Sequence, residues 1–198
     1  MQPYKVIEKL LVRIVDYFLL LNATWNLCFL QFVEVNRRDY RAWYGLGQSY
    51  EILKMPLYSL YYYKIAQQLR PFDSRMLVAL GETYEKLEKN GNALKCFQKA
   101  CNVGDIEGNA LLRLAELYNK LGDIESAVPA YLSFCADERA AVDKSSLCQA
   151  FVMLGNYYEK KGNYDKASHF AYRCLEYDDV SQCLYLMIKI YWSTYFAG

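Results

Sequence analysis

A single histidine, no CxxC pair among seven cysteines and almost no net charge leave this chain short of what most chemistries require. His169 is the whole imidazole complement, and pairing it with Cys174, five residues away along a helix, is poor geometry for one face. It reads as a surface or groove-side residue. No H-E-x-x-H, G-x-S-x-G or phosphate-cradling glycine loop occurs, so no metal, cofactor or catalytic residue is expected. The formal net charge of +1 lacks the basic excess of a nucleic-acid binder. Cys28, Cys96, Cys101, Cys135, Cys148, Cys174 and Cys183 are odd in number, which supports neither structural zinc nor a disulfide framework. They read as reduced, small core residues of a nuclear or cytosolic protein. No segment sustains the alternation of a strand, which makes the chain all-α.

What is present in quantity is apolar and aromatic. The 198 residues are 54% hydrophobic and include 20 tyrosines, so a sizeable core forms and disorder is excluded. Tyrosine suits repeat-to-repeat contacts, because it buries a ring and keeps a hydroxyl within reach of water. Tyr17 to Val33 carries no charge. Asn22, Thr24, Asn26 and Gln31 interrupt it, Arg13 and Asp16 lie just upstream, and no small-residue cleavage site follows. A buried helix is the first reading of residues 1–32; a membrane insertion and a start foreign to the rest stay open.

The decisive signal is self-similarity. Trp43-x-x-Leu46-Gly47-x-x-Tyr50 is the first-helix signature of a tetratricopeptide repeat, W-x2-L-G-x2-Y, without substitution. With Tyr40 as position 1, Tyr63, Ala66 and Pro71 fall at positions 24, 27 and 32, the proline where the second helix must stop. A step of 34 residues brings Leu77, Leu80, Gly81, Tyr84, Ala93, Phe97 and Ala100 into the same frame. A second such step gives Leu111, Leu114, Ala115, Tyr118, Ala127 and Tyr131, and a step of 40 gives Phe151, Leu154, Gly155, Tyr158 and Ala167. Position 8 stays small because helices A and B approach closely there, and position 20 (Ser59, Ala93, Ala127, Ala167) is its counterpart on helix B. One hairpin cannot bury its stripe alone, so the expected fold is a tetratricopeptide-repeat solenoid, a right-handed superhelix of antiparallel helix pairs.

The expected repeats run over residues 40–73, 74–107, 108–147 and 148–181, within an array of 33–181, and 182–198 form a capping helix or a truncated repeat. Gly122-Asp123 and Gly162-Asn163 separate helix A from helix B, with Asp or Asn capping the next helix. Pro56 suits the first turn of its helix. Pro129 falls inside a helix B, where a kink is expected. Residues 136–147 are an insertion, read as a longer helix B or an exposed loop.

Helix A of such repeats lines a concave groove, chiefly through positions 2, 5, 9, 12 and 13. Those positions read Arg41, Tyr44, Gln48, Glu51, Ile52, then Arg75, Val78, Glu82, Glu85, Lys86, then Asn109, Leu112, Glu116, Asn119, Lys120, and last Gln149, Val152, Asn156, Glu159, Lys160. Glutamates recur at 9 and 12 beside small apolar patches, which suits an extended peptide with an arginine and aliphatic side chains. The candidate groove residues are Tyr44, Gln48, Glu51, Glu82, Glu85, Glu116 and Asn119. Each is also compatible with a solvated helix face.

Residues between the consensus positions carry a narrower resemblance. Val35 to Leu87 contains Tyr50-Glu51-Ile52-Leu53-Lys54-Met55-Pro56, Leu60-Tyr61-Tyr62-Tyr63, Leu69-Arg70-Pro71 and Asp73-Ser74-Arg75-Met76-Leu77-Val78-Ala79-Leu80-Gly81-Glu82. This stretch resembles the cell-division-cycle protein 23 family, subunit eight of the anaphase-promoting complex. Weaker similarity, including Val103-Gly104-Asp105, continues to about residue 180, and residues 1–32 do not match. The resemblance implies a non-catalytic scaffold in a large ubiquitin ligase of the nucleus and cytoplasm. Its implied partners are other subunits of that complex and an arginine-containing motif of a coactivator. It implies homodimers formed through N-terminal repeats that this chain does not contain. Neither nucleic acid nor membrane is among the expected partners.

Overall fold

The structure is a computed structural model and describes residues 29, 31, 34, 36–105, 109–136, 144–176, 184 and 187–192. The expectations for residues 1–28 lie outside them. The chain divides into two compact units, Met1–Val103 and Gly104–Gly198. In the first, helices α1 (Tyr40–Ile52), α2 (Pro56–Leu69), α3 (Ser74–Lys86) and α4 (Asn90–Val103) form two hairpins. In the second, α5 (Asn109–Lys120), α6 (Ile124–Ala136), α7 (Lys144–Lys160) and α8 (Tyr164–Leu175) form two more. Residues 187–192 are also helical.

Local chemistry explains the boundaries. Asp39 and Asp73, 34 residues apart, cap α1 and α3 by accepting the backbone N–H of Arg41 at 3.0 Å and of Arg75 at 3.1 Å. The same carboxylates pair with the side chains of those arginines. Pro56 stands at the start of α2, where its missing N–H costs little. Asn163 accepts the N–H of Lys166 and Asp123 that of Ser126, each at 3.2 Å, as expected of helix caps.

All four turns between helix A and helix B share one geometry. Position 15 has a positive φ in each: Lys54 at 57°, Glu88 at 58°, Gly122 at 80° and Gly162 at 72°. The next residue's N–H then reaches back to the carbonyl of the position-11 tyrosine: Met55 to Tyr50, Lys89 to Tyr84, Asp123 to Tyr118 and Asn163 to Tyr158, at 2.9–3.0 Å. The second unit uses glycine there, whereas the first uses side chains that the left-handed region disfavours by about 1–2 kcal/mol. Glu88→Gly is therefore expected to stabilise the first unit by about 0.5–1 kcal/mol, after the entropic cost of glycine. It should appear as a higher urea midpoint at unchanged slope; a lower midpoint would contradict the strain.

The close approach at position 8 holds in the first unit. A Cβ on Gly47 would overlap the Tyr63 ring, and one on Gly81 would lie 2.5 Å from the Phe97 ring. Tyr63 and Phe97 are buried, with Ala66, Ala93 and Ala100 fully so. Ser59 at position 20 is buried too and donates its hydroxyl to the Gly47 carbonyl at 3.0 Å, tying helix B to helix A. Phe29 packs with Ala42 and Leu46 and would meet a Cβ on Gly45 at 2.5 Å. Tyr50 stacks on Tyr58 and Tyr62, with ring centroids 5.4 and 5.2 Å apart, and Trp43 stacks on Tyr62 at 6.1 Å.

The second unit departs from expectation in several places. Of the insertion, residues 137–143 lie outside the described ones; its last residues belong to α7, which begins at Lys144, ahead of the expected repeat start. The added turn, Lys144–Leu147, buries Leu147 in the core beside Cys148, Phe134, Phe151 and Leu154, which is why it folds as helix. Leu112, expected in the groove, is buried in that same core. Pro129 lies exposed within α6, which runs on to Ala136. The all-reduced reading of the cysteines holds for Cys96, Cys101, Cys135 and Cys148, but not for Cys174, which is disulfide-bonded. Burial pushes the Cys96 thiol up and that of Cys135 up to about 12, the latter against the pull of Arg173, so both stay protonated near neutrality. Met187 and Ile190 pack on Tyr158, Tyr164, Ala167 and Ala171.

Candidate peptide-binding face

The seven candidate residues fall into two groups. Tyr44, Gln48 and Glu51 on α1, and Glu82 and Glu85 on α3, belong to the first unit; Glu116 and Asn119 on α5 belong to the second. Spacings of four and three residues put each set on one helix face. Gln48 is exposed, and the others are partly buried.

Glu51 is the best-defined of them. The Tyr63 hydroxyl, 2.7 Å away, donates to its Oε2, and Lys86 of α3 donates to its Oε1. The Tyr63 ring is buried against Gly47, so its hydroxyl is held in place. Burial, followed by the hydrogen bond to Glu51, raises the Tyr63 phenol far above its ordinary range, so it acts as a donor throughout the physiological range. Tyr44 lies on the same ring at 5.3 Å between centroids. Beside Glu51 opens a cleft of about 250 Å³ lined by Lys54, Pro56, Ser59, Thr83 and Lys86. Ser59 and Thr83 have already committed their hydroxyl protons, Thr83 to the Ala79 carbonyl at 2.8 Å.

In the second unit, Arg113 holds Glu116 at 3.1 Å, one turn away on α5. Burial first, then the Glu116 charge, push the Tyr131 phenol up to about 12. Glu159, at position 12 like Glu51, pairs with Lys189 at 3.0 Å, and Lys189 also donates to Asn156 at 3.3 Å. In both units, then, a position-12 glutamate is met by a lysine from a later helix. Sequence reasoning missed this pairing, although Lys86, Lys120 and Lys160 at position 13 are visible beside the acidic positions. The acidic face is thus partly self-neutralised rather than an open row of carboxylates.

Exposed His169 sets its ring edge-to-face on Phe170 at 5.5 Å. Among the described residues, no group of three His, Cys, Asp or Glu side chains is placed to hold a metal ion, and no helix is long and apolar enough to cross a membrane.

The tetratricopeptide-repeat family pattern matches residues 74–103 and 149–180, and a second pattern of the same repeat matches 109–137. No curated protein matches the sequence. Among solved structures, MamA is similar at 18% identity with a TM-score of 0.65, over 76% of this chain and 85% of that one. A second MamA structure gives 19% identity and a TM-score of 0.62, over 78% and 81% of the two chains. YrrB, a tetratricopeptide-repeat protein with an unusual peptide-binding site, is similar at 18% identity with a TM-score of 0.53, over 79% of this chain and 96% of that one. The fold is the all-α tetratricopeptide-repeat solenoid. The chain thus carries tetratricopeptide repeats over residues 74–103, 109–137 and 149–180, each of which stacks a helical hairpin on its neighbours.

Proposed function

We propose that this chain is a non-catalytic, protein-binding scaffold whose first unit receives an extended peptide carrying an arginine on the α1/α3 face. The observation that supports this reading best is Glu51, a carboxylate fixed by the buried Tyr63 and opening onto a cleft, with Tyr44 beside it. A planar guanidinium matches a fixed carboxylate in two parallel hydrogen bonds. Hydrogen bonds to charged groups contribute about 1.5–3 kcal/mol. Glu51→Gln is therefore expected to weaken binding of an arginine-containing peptide roughly ten- to hundredfold, measured by fluorescence anisotropy. Glu51→Lys should remove it altogether. Unchanged affinity in both variants would sink the assignment of the face.

The resemblance of Val35 to Leu87 supports a more specific role: a scaffold subunit of the anaphase-promoting complex, in nucleus and cytoplasm, taking an arginine motif from a coactivator. Co-purification of the tagged chain from mitotic extract tests it; recovery with other assemblies and never with that ligase would reject it. A second reading is favoured by the internal pairing of Glu51 with Lys86 and of Glu159 with Lys189. On it, the chain is a general adaptor for a peptide that does not depend on arginine. Equal binding of an arginine peptide and its citrulline counterpart would select this reading.

A further inference from the structure

We infer that Lys86 is a built-in competitor for the arginine site: its ammonium occupies the Glu51 carboxylate in the free protein, and an incoming guanidinium takes its place. This rests on the peptide reading proposed above.

Three features of the contact point to exchange. The two partners come from different hairpins, Glu51 from the end of α1 and Lys86 from the end of α3, and Lys86 is the last residue of its helix. The Lys86 side chain is 51% exposed, so the ammonium can swing into solvent, and the Glu51 side chain, 25% exposed, keeps the Tyr63 hydrogen bond when it does. The carboxylate does not share that freedom, because its Oε2 accepts from the hydroxyl of the buried Tyr63 at 2.7 Å.

The two cations are not equivalent ligands for such a group. An ammonium is a compact, strongly hydrated point charge. A guanidinium presents a flat fork that fits a fixed carboxylate and is less strongly hydrated. Lys86 therefore satisfies Glu51 in the absence of a partner and yields to a better-matched one. Tyr63 serves as a positioning residue, since it orients the carboxylate without reaching the ligand. Lys54, exposed on the rim of the same cleft, adds positive charge that any cationic ligand must enter against, and so supplies a control.

An exposed ion pair contributes about 0.2–1 kcal/mol, so removing this competitor should tighten apparent binding about two- to sixfold. The test uses the full chain and a fluorescent heptapeptide with one arginine between aliphatic residues, beside its citrulline counterpart. Lys86→Met is expected to tighten the arginine peptide by that factor and to leave the citrulline peptide unaffected. Lys86→Arg keeps the charge but is a stronger competitor, and is expected to weaken binding below that of the unaltered chain. Lys54→Met removes a neighbouring charge without touching the pair and should have a smaller effect than Lys86→Met. Tightening in Lys86→Met together with weakening in Lys86→Arg establishes the exchange. Equal affinities for the unaltered chain and both Lys86 variants overturn it, as does a Lys54→Met effect matching that of Lys86→Met. If none of the chains binds the arginine peptide, the parent reading fails and the exchange fails with it.

Discussion

Phe97→Ala is expected to cost about 3–5 kcal/mol, among the largest losses a single truncation in the first unit should produce. Phe97 is completely buried on α4, with its ring over Gly81 of α3. Truncation removes the ring's transfer free energy and leaves a void. The void closes poorly, because α3 already approaches α4 at the glycine and has no side chain there to move in. Urea unfolding followed by circular dichroism at 222 nm gives the loss; a value below about 1 kcal/mol would mean that the helices collapse onto the gap. A double-mutant cycle sharpens the test. Gly81→Leu alone drives a side chain into the Phe97 ring and should also destabilise. Combined with Phe97→Ala, the leucine fills the space the ring vacated, so the double variant should lose markedly less than the sum of the singles. Strict additivity would show that the two residues do not meet.

The second large effect has the opposite sign. Pro129→Ala is expected to stabilise the second unit by about 1–3 kcal/mol, since proline within a helix is about 3 kcal/mol less favourable than alanine. Proline has no N–H to offer the carbonyl of Glu125, four residues earlier in α6. Pro129 is exposed while Val128, Ala130 and Tyr131 are buried, so alanine restores the hydrogen bond without altering the packed face. A stabilised variant with an unchanged urea slope would confirm the account. A destabilised one would show that the ring sets a bend on which the packing of Val128 and Tyr131 depends.

Much of the fold was legible at the level of single residues. Gly47, Gly81, Tyr63 and Phe97 announce a close helix crossing because one partner must be absent for the other to fit, and the contacts are where the repeat frame puts them. Pro56 and Asn163 follow from backbone chemistry that acts within a few residues. Lys54 and Glu88 were not legible. A left-handed turn is announced by glycine, as at Gly122 and Gly162, but here the 34-residue frame imposes the same turn on residues that do not favour it. The start of α7 was missed for a related reason. The consensus frame says where a repeat usually begins, whereas the helix extends back through Leu147 because a core is available to bury it.

The candidate site shows the same division. Its location on helix A followed from repeat position alone, and so did the acidic residues on it. Whether those acids stand open to a ligand depends on what faces them across the stack. Lys86 lies 35 residues from Glu51 and Lys189 lies 30 from Glu159, separations at which sequence proximity carries no information. The sequence by itself determined the all-α class, the repeat and the glycine–aromatic crossings, because each depends on sterics and periodicity within one hairpin. Only the tertiary structure decided which carboxylates are already paired and which tyrosine orients Glu51, because charges find their partners through space and not along the chain.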